Sequence, residues 1–171
     1  MMPEADFHDL APRLWGRRGI LGGGLSLLIV APAFGAARPV SVLFICQFGS
    51  VKSPTAREMF RQRAAARGVA VRAVSRGITP EAHLSPLLKA QLASEGLDPE
   101  RDPLTRLQAD EIERADIVVI LDKLPAGFKP KRLHDWTDFG SFNQSYANER
   151  PRLVARVDQL LDEISSGRGC A

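Results

Sequence analysis

Pro39-Val40-Ser41-Val42-Leu43-Phe44-Ile45-Cys46-Gln47-Phe48-Gly49-Ser50-Val51-Lys52-Ser53-Pro54 decides the fold. Its first half is a short, β-branched apolar run, the kind of segment that makes a strand covered on both faces. Its second half turns at Gly49 and reaches Ser53-Pro54, a helix-opening pair with Ser53 as candidate N-cap and Pro54 at the first helical position. A turn that joins a buried strand to a helix N-terminus presents unpaired N–H groups and the positive end of the helix dipole. Such a turn binds oxyanions. Here it places the Cys46 thiol at one end, Lys52 six residues on and the Ser53 hydroxyl beside it. The electropositive setting favours a reactive thiolate at Cys46, and Gly49 supplies the positive φ that a tight anion cradle often needs.

Outward from this stretch the chain alternates strand and helix. Ala56, Met59, Phe60 and Ala64 recur at helical spacing, and the helix is expected to end near Gly68. Residues 69–74 alternate as a strand and stop at Ser75-Arg76-Gly77. Helices are expected over 85–92 and 109–114, an apolar strand over 116–121, a short strand over 132–136, and a closing amphipathic helix over 149–164. The order predicts an α/β fold with a parallel sheet and helices on both faces.

Composition narrows the function. Residues 1–37 carry three basic and three acidic side chains, so the net charge of +3 belongs to the remainder, with 20 Lys and Arg against 17 Asp and Glu. The densest basic group, Arg61, Arg63 and Arg67, reads as a solvated helix face, and no nucleic-acid partner is expected. Cys46 and Cys170 are the only cysteines and the three histidines are scattered, so neither a disulfide framework nor a metal site is expected, and no cofactor.

Residues 1–37 read as an export signal. Arg17-Arg18 precede an uncharged run from Gly19 to Ala37 that ends in small residues, and residues 16–21 are similar to the twin-arginine signature. Five glycines between 16 and 24 argue against a soluble helix, each costing about 1 kcal/mol relative to Ala. The expected location is the periplasm, with membrane contact only through this leader and cleavage near Ala36 or Ala37. The alternative is an uncleaved anchor over 19–37, just long enough to span a bilayer. The domain proper is then 38–171.

Cys46, five residues, a cation, Ser53 and Pro54 after an apolar strand resemble the loop of the low-molecular-weight protein tyrosine phosphatase family. The resemblance runs from about Pro39 to Ile164. Val74-Ser75-Arg76-Gly77 is similar to the family's second-strand ending with its supporting serine, and 104–122 to its helix, apolar strand and terminal Asp. It implies a three-layer, doubly wound sandwich with a four-stranded parallel sheet in the flavodoxin-like order 2-1-3-4. It further implies that Cys46 attacks phosphorus, that Asp138 serves as general acid with Asp135 as the alternative, and that no metal takes part. The amides of Gln47, Phe48, Gly49, Ser50, Val51 and Ser53, with Lys52, would hold the phosphoryl oxygens, and Ser53 would stabilise the thiolate. The implied ligand is phosphate or another oxyanion, carried by a phosphorylated protein or a small phosphoester.

The sequence departs from the family pattern at telling places. Lys52 stands where the family has Arg, Phe48 where it usually has Gly, Gly49 where it usually has Asn, and Phe139 follows Asp138 where Pro is common. Arg offers a planar two-bond fork to phosphoryl oxygens and Lys a single mobile charge, so weak hydrolysis is expected. The alternative is a non-catalytic oxyanion- or partner-binding module. Arsenate reductase is a more distant rival, because no cysteine lies between Ser53 and Gly169. Phe48, Trp136 and Phe139 are candidate walls for an aromatic ester.

Overall fold

The computed structural model describes residues 38–167. The export signal read over 1–37 and Cys170 lie outside the described residues. Four strands and four helices follow one another as β1 (Val40–Cys46), α1 (Lys52–Ala66), β2 (Val71–Gly77), α2 (Pro86–Ser94), α3 (Ala109–Arg114), β3 (Ile117–Ile120), β4 (Leu133–Asp135) and α4 (Phe142–Ser165). All strand pairs are parallel, in the order β2-β1-β3-β4. The α/β class, the sheet and its order are those expected.

The pleat of β1 divides the core. Val40, Val42, Phe44 and Cys46 face the layer of α1, α2 and α4, whereas Leu43 and Ile45 face α3. On the first side Phe44 packs between Phe60 of α1 and Trp136, with ring centroids 5.5 and 6.1 Å away. Truncating such a buried aromatic costs about 3–5 kcal/mol, so this contact is a main tie between sheet and helices. The second side is thinner, because among the described residues it is covered by one helix of six residues.

Several boundaries differ from expectation for physical reasons. β2 continues through Ser75, Arg76 and Gly77 because these residues pair with Phe44, Ile45 and Cys46. The helix expected from 149 begins at Phe142, with non-helical dihedrals at Ser145 and Pro151 inside it, so the amphipathic stretch is the second part of a kinked element. α1 begins at Lys52 after Val51, and Ser53 makes no cap; its hydroxyl turns toward the site. By contrast Ser85 does cap α2, its Oγ accepting from the Leu88 amide at 3.2 Å.

The arginines of α1 are not a solvated face. Arg63 and Arg67 pair with Asp158, and Arg67 also with Asp162, tying α1 to α4. Arg61 pairs with Glu58 and Asp102 and donates to the Ala73 carbonyl, which covers the outer edge of β2. Arg57, 1% exposed, donates to Glu58, to Ser75 Oγ at 2.7 Å and to the Pro99 carbonyl. Burial lowers the Arg57 pKa against the opposing pull of Asp102 and Glu58.

Candidate functional site

The site lies at the C-terminal edge of the sheet, where β1 ends between β2 and β3 and the turn 47–51 leads into α1. Cys46 is 2% exposed. Its Sγ accepts the Gly49 N–H at 3.2 Å and the Ser53 N–H at 3.4 Å, with Ser53 Oγ at 3.1 Å. Ser53 Oγ also donates to the Arg76 carbonyl at 3.3 Å. The hydroxyl has one proton for two neighbouring acceptors, and a thiolate at Cys46 would draw it from the carbonyl.

The turn leaves donors over. The amides of Phe48, Ser50, Val51 and Lys52 meet no acceptor among the described residues, and they sit on one short arc at the start of α1. A buried or half-buried amide without an acceptor is costly, so an arc of four calls for an anion or water. With the positive end of the helix dipole behind it, the arc suits an oxyanion.

Two glycines make the turn possible. Gly49 has φ 70°, and a Cβ there would lie 2.6 Å from the Gly77 amide nitrogen. A Cβ on Gly77 would lie 2.7 Å from the Phe48 carbonyl oxygen. The expectation for Gly49 holds, and Gly77 is its counterpart, seen only once the two backbones meet. Residues 78–83 then brace the turn from outside. Ile78, Thr79 and Glu81 donate their amides to the carbonyls of Cys46, Gln47 and Phe48, and His83 donates its own to Ser50 Oγ at 3.0 Å.

Lys52 is occupied by the protein. Its Nζ donates to the Leu121 carbonyl at 3.1 Å, to Asp122 Oδ1 at 2.5 Å and to the Phe139 carbonyl at 3.4 Å. An ammonium has three protons, and these three oxygens match them. Asp122, at the end of β3, also accepts the Gln47 amide at 2.9 Å. Asp122 is therefore the carboxylate that touches the loop, holding one amide that was assigned to phosphate as well as the cation. Its signal in the sequence was the Asp closing an apolar strand, which fixes its place beside the β1 turn.

Asp138 is held on the other side. Its Oδ2 accepts from Arg152 at 2.5 Å and Arg156 at 2.7 Å, both on α4, and the two guanidiniums lie over the Phe139 ring at 4.9 and 5.1 Å. Asp135 accepts from the amide and hydroxyl of Thr137, and the hydroxyl contact, followed by the amide, lowers its pKa. Trp136 and Phe139 are each 4% exposed and are core, not walls of a cleft. Phe48 is 38% exposed, with its ring 4.1 Å from that of His83. Among the described residues no cluster of side chains suits a metal, and no helix is long and apolar enough to cross a membrane.

The sequence pattern of the family described as "Low molecular weight phosphotyrosine protein phosphatase" matches residues 41–133. No curated protein matches the chain. Among solved structures, YfkJ from Bacillus subtilis is 21% identical, covers 78% of this chain and 99% of its own, and superposes with a TM-score of 0.61. A low molecular weight protein tyrosine phosphatase from Bacillus subtilis gives 18% identity, 75% and 99% coverage and 0.61. A thioredoxin-dependent arsenate reductase from Corynebacterium glutamicum gives 23%, 75% and 63%, and 0.57. At these identities the structural likenesses speak to the fold alone.

Proposed function

Since the chain belongs to the low molecular weight phosphotyrosine protein phosphatase family, we propose that it binds the phosphoryl group of a phosphomonoester on the amide arc 48–52 and hydrolyses it slowly through Cys46. The observation that carries this reading is the pairing of the Cys46 sulfur, which gathers three donor groups, with four amides that have no acceptor among the described residues. In this reaction the thiolate attacks phosphorus. The S–P bond forms as the P–O bond breaks, and Asp138 gives its proton to the leaving oxygen. Water then attacks the phosphocysteine, returns a proton to Asp138 and releases phosphate and the thiolate. Asp138 must leave Arg152 and Arg156 to take part.

A second reading has a specific observation behind it. With all three ammonium protons of Lys52 on protein oxygens, the loop's own cation is not left for the transition-state charge, which suits a module that binds oxyanions without turnover. Arsenate reduction has no such support, since no cysteine stands between Ser53 and Gly169 to join Cys46 in a disulfide and so supply the two electrons that arsenate needs. The deciding experiment is para-nitrophenyl phosphate hydrolysis beside Cys46→Ser, with phosphate binding measured on both proteins. Turnover that vanishes in Cys46→Ser supports the enzyme, phosphate binding without turnover supports the module, and neither sinks both.

The location belongs to the same proposal: residues 1–37 would send the domain to the periplasm through a twin-arginine route. Recovery of the protein with these residues intact from the cytoplasm of an export-competent bacterium would overturn it.

A further inference from the structure

Gly49 and Ser50 belong to the oxyanion loop, and they also line a cavity of about 270 Å³ that adjoins it. The segment that braces the loop and the connection between α2 and α3 supply most of the rest. Ala82, Leu84 and Leu104 make an apolar wall that is open: Ala82 and Leu104 are exposed and Leu84 is half-buried. At the bottom lie Ser75 and Arg57, 6% and 1% exposed. Toward solvent lie Asp102, half-buried, and Glu100, exposed.

The hydrogen-bonding groups left over define what fits. Ser75 Oγ accepts from Arg57 Nη1 at 2.7 Å, and its own proton meets no acceptor among the described residues. Ser50 Oγ accepts the His83 amide at 3.0 Å, and its proton also has no acceptor among them. Accepting from a guanidinium strengthens the Ser75 hydroxyl as a donor, and a buried donor calls for an acceptor. That acceptor is neutral. The charge of Arg57 is already met by Glu58 and Asp102, so an entering anion would face the Asp102 and Glu100 carboxylates without compensation. Asp102 itself has an oxygen to spare: Oδ2 is held by Arg61 and Arg57, and Oδ1 meets no donor among the described residues. Donors at the bottom, a free carboxylate oxygen at the side and an aliphatic wall suit a carboxamide on a short methylene stem.

We propose that this cavity takes a glutamine side chain of a phosphorylated polypeptide, one or two residues from the phosphoresidue held on the amide arc. Its carboxamide oxygen accepts from the Ser75 and Ser50 hydroxyls, its NH2 donates to Asp102 Oδ1, and its stem lies on Leu84 and Leu104. Glu100 at the mouth turns acidic side chains away. An extended chain advances about 3.3 Å per residue, so a single peptide reaches both the arc and the cavity that share Gly49 and Ser50. The inference rests on the loop's holding a phosphoryl group, and it makes the substrate a protein and not a small phosphoester.

The test uses the full chain and fluorescein-labelled polyalanine peptides that carry a non-hydrolysable phosphonate analogue of phosphotyrosine. Glutamine is placed in turn at each of the two positions on either side, and binding is followed by anisotropy, with inorganic phosphate as competitor. At one position glutamine should tighten binding by about tenfold over alanine, and glutamate there should not. Ala82→Trp, which fills the cavity from an exposed position, should abolish this preference and leave phosphate affinity unchanged. Leu104→Ala, which only shortens the wall, should weaken the glutamine peptide and spare the alanine one. Equal affinity for glutamine and alanine at every position, tighter binding of glutamate, or a preference that survives both variants would each overturn the proposal. Phosphate bound without a glutamine preference refutes the cavity alone. A wild type that binds no phosphate refutes the loop reading, and the cavity with it.

Discussion

Lys52→Arg tests the loop most directly, and the structure sets the size of the effect. The ammonium of Lys52 has three donors and three protein acceptors, Leu121 O, Asp122 Oδ1 and Phe139 O. A guanidinium has five donors in a plane. It can keep Asp122 on one edge and still offer two parallel N–H groups to equatorial phosphoryl oxygens, where charge builds in the transition state. Losing an oxyanion donor costs about 10²- to 10³-fold in rate, and a fork placed by an unevolved loop should recover only part of that. We expect kcat on para-nitrophenyl phosphate to rise about tenfold while phosphate affinity changes less. Phe48 lies on His83 at the rim, so Phe48→Gly is not required to make room, and the double variant should add little. Lys52→Met is the companion: it leaves two carbonyls and the Asp122 carboxylate short of a donor and should cost about 3–5 kcal/mol of stability. A fall in kcat for Lys52→Arg with phosphate binding intact would mean the loop is built around lysine, and the donor argument would fail.

Three further outcomes are expected. Asp138→Asn should slow hydrolysis of alkyl phosphates by about 10²-fold and that of para-nitrophenyl phosphate far less, since only a poor leaving group needs the proton; Asp135→Asn, which only loosens Thr137, should do little, and the reverse ranking would move the acid. Gly49→Ala should cost at least about 2 kcal/mol and abolish phosphate binding, because φ 70° and a Cβ 2.6 Å from the Gly77 nitrogen admit no side chain; normal thermal stability would refute the tight turn. Burial pushes the Asp116 carboxyl up, but the Arg38 fork and the amide and hydroxyl of Ser41 outweigh it and hold the pKa at about 2, below its ordinary 3.8. A depressed carboxyl stabilises the fold above its unfolded pKa, so this contribution is lost as pH falls from about 3.8 toward 2. The melting temperatures of wild type and Asp116→Asn should converge over that range and differ above it.

What the sequence made legible is local. Apolar run, turn and helix opening over 39–54 are decided by residues next to one another, and so is the Ser85 cap. The position of Lys52 is not local: its acceptors stand 69, 70 and 87 residues on, so no spacing rule could show that its protons were taken. The same holds for the α1 arginines. Arg61, Arg63 and Arg67 look solvated within an Ala-rich helix, and only the folded chain brings Asp102, Asp158 and Asp162 to them. The two expectations for Ser53, a helix cap and a partner of the Cys46 sulfur, are separated only by the fold. The type and place of Ser53 fit a helix cap, but a thiol 3.1 Å away is the stronger claim on its hydroxyl. Gly77 ends a strand in the sequence, and its role as the surface on which Gly49 rests depends on the register of β1 and β2.

Two contacts stand between this structure and turnover, and their magnitudes differ. Asp138 must leave Arg152 and Arg156, but it is 51% exposed and surface ion pairs contribute about 0–1 kcal/mol each. Freeing it from both therefore costs at most about 2 kcal/mol, or about 30-fold in rate, a small share of the 10⁶-fold or more by which enzymes accelerate reactions. Lys52 is 18% exposed and Asp122 29%, so their pair is better shielded and is reinforced by two carbonyls that would lose their donor. The two contacts also share a hinge, because Lys52 donates to the Phe139 carbonyl while Arg152 and Arg156 lie on the Phe139 ring. Drawing Lys52 toward a bound phosphoryl group would loosen the same residue that sits beside Asp138. In an active enzyme, phosphate should therefore increase the exchange of the Phe139 and Gly140 amides, and in a binding module that leaves Lys52 in place it should not.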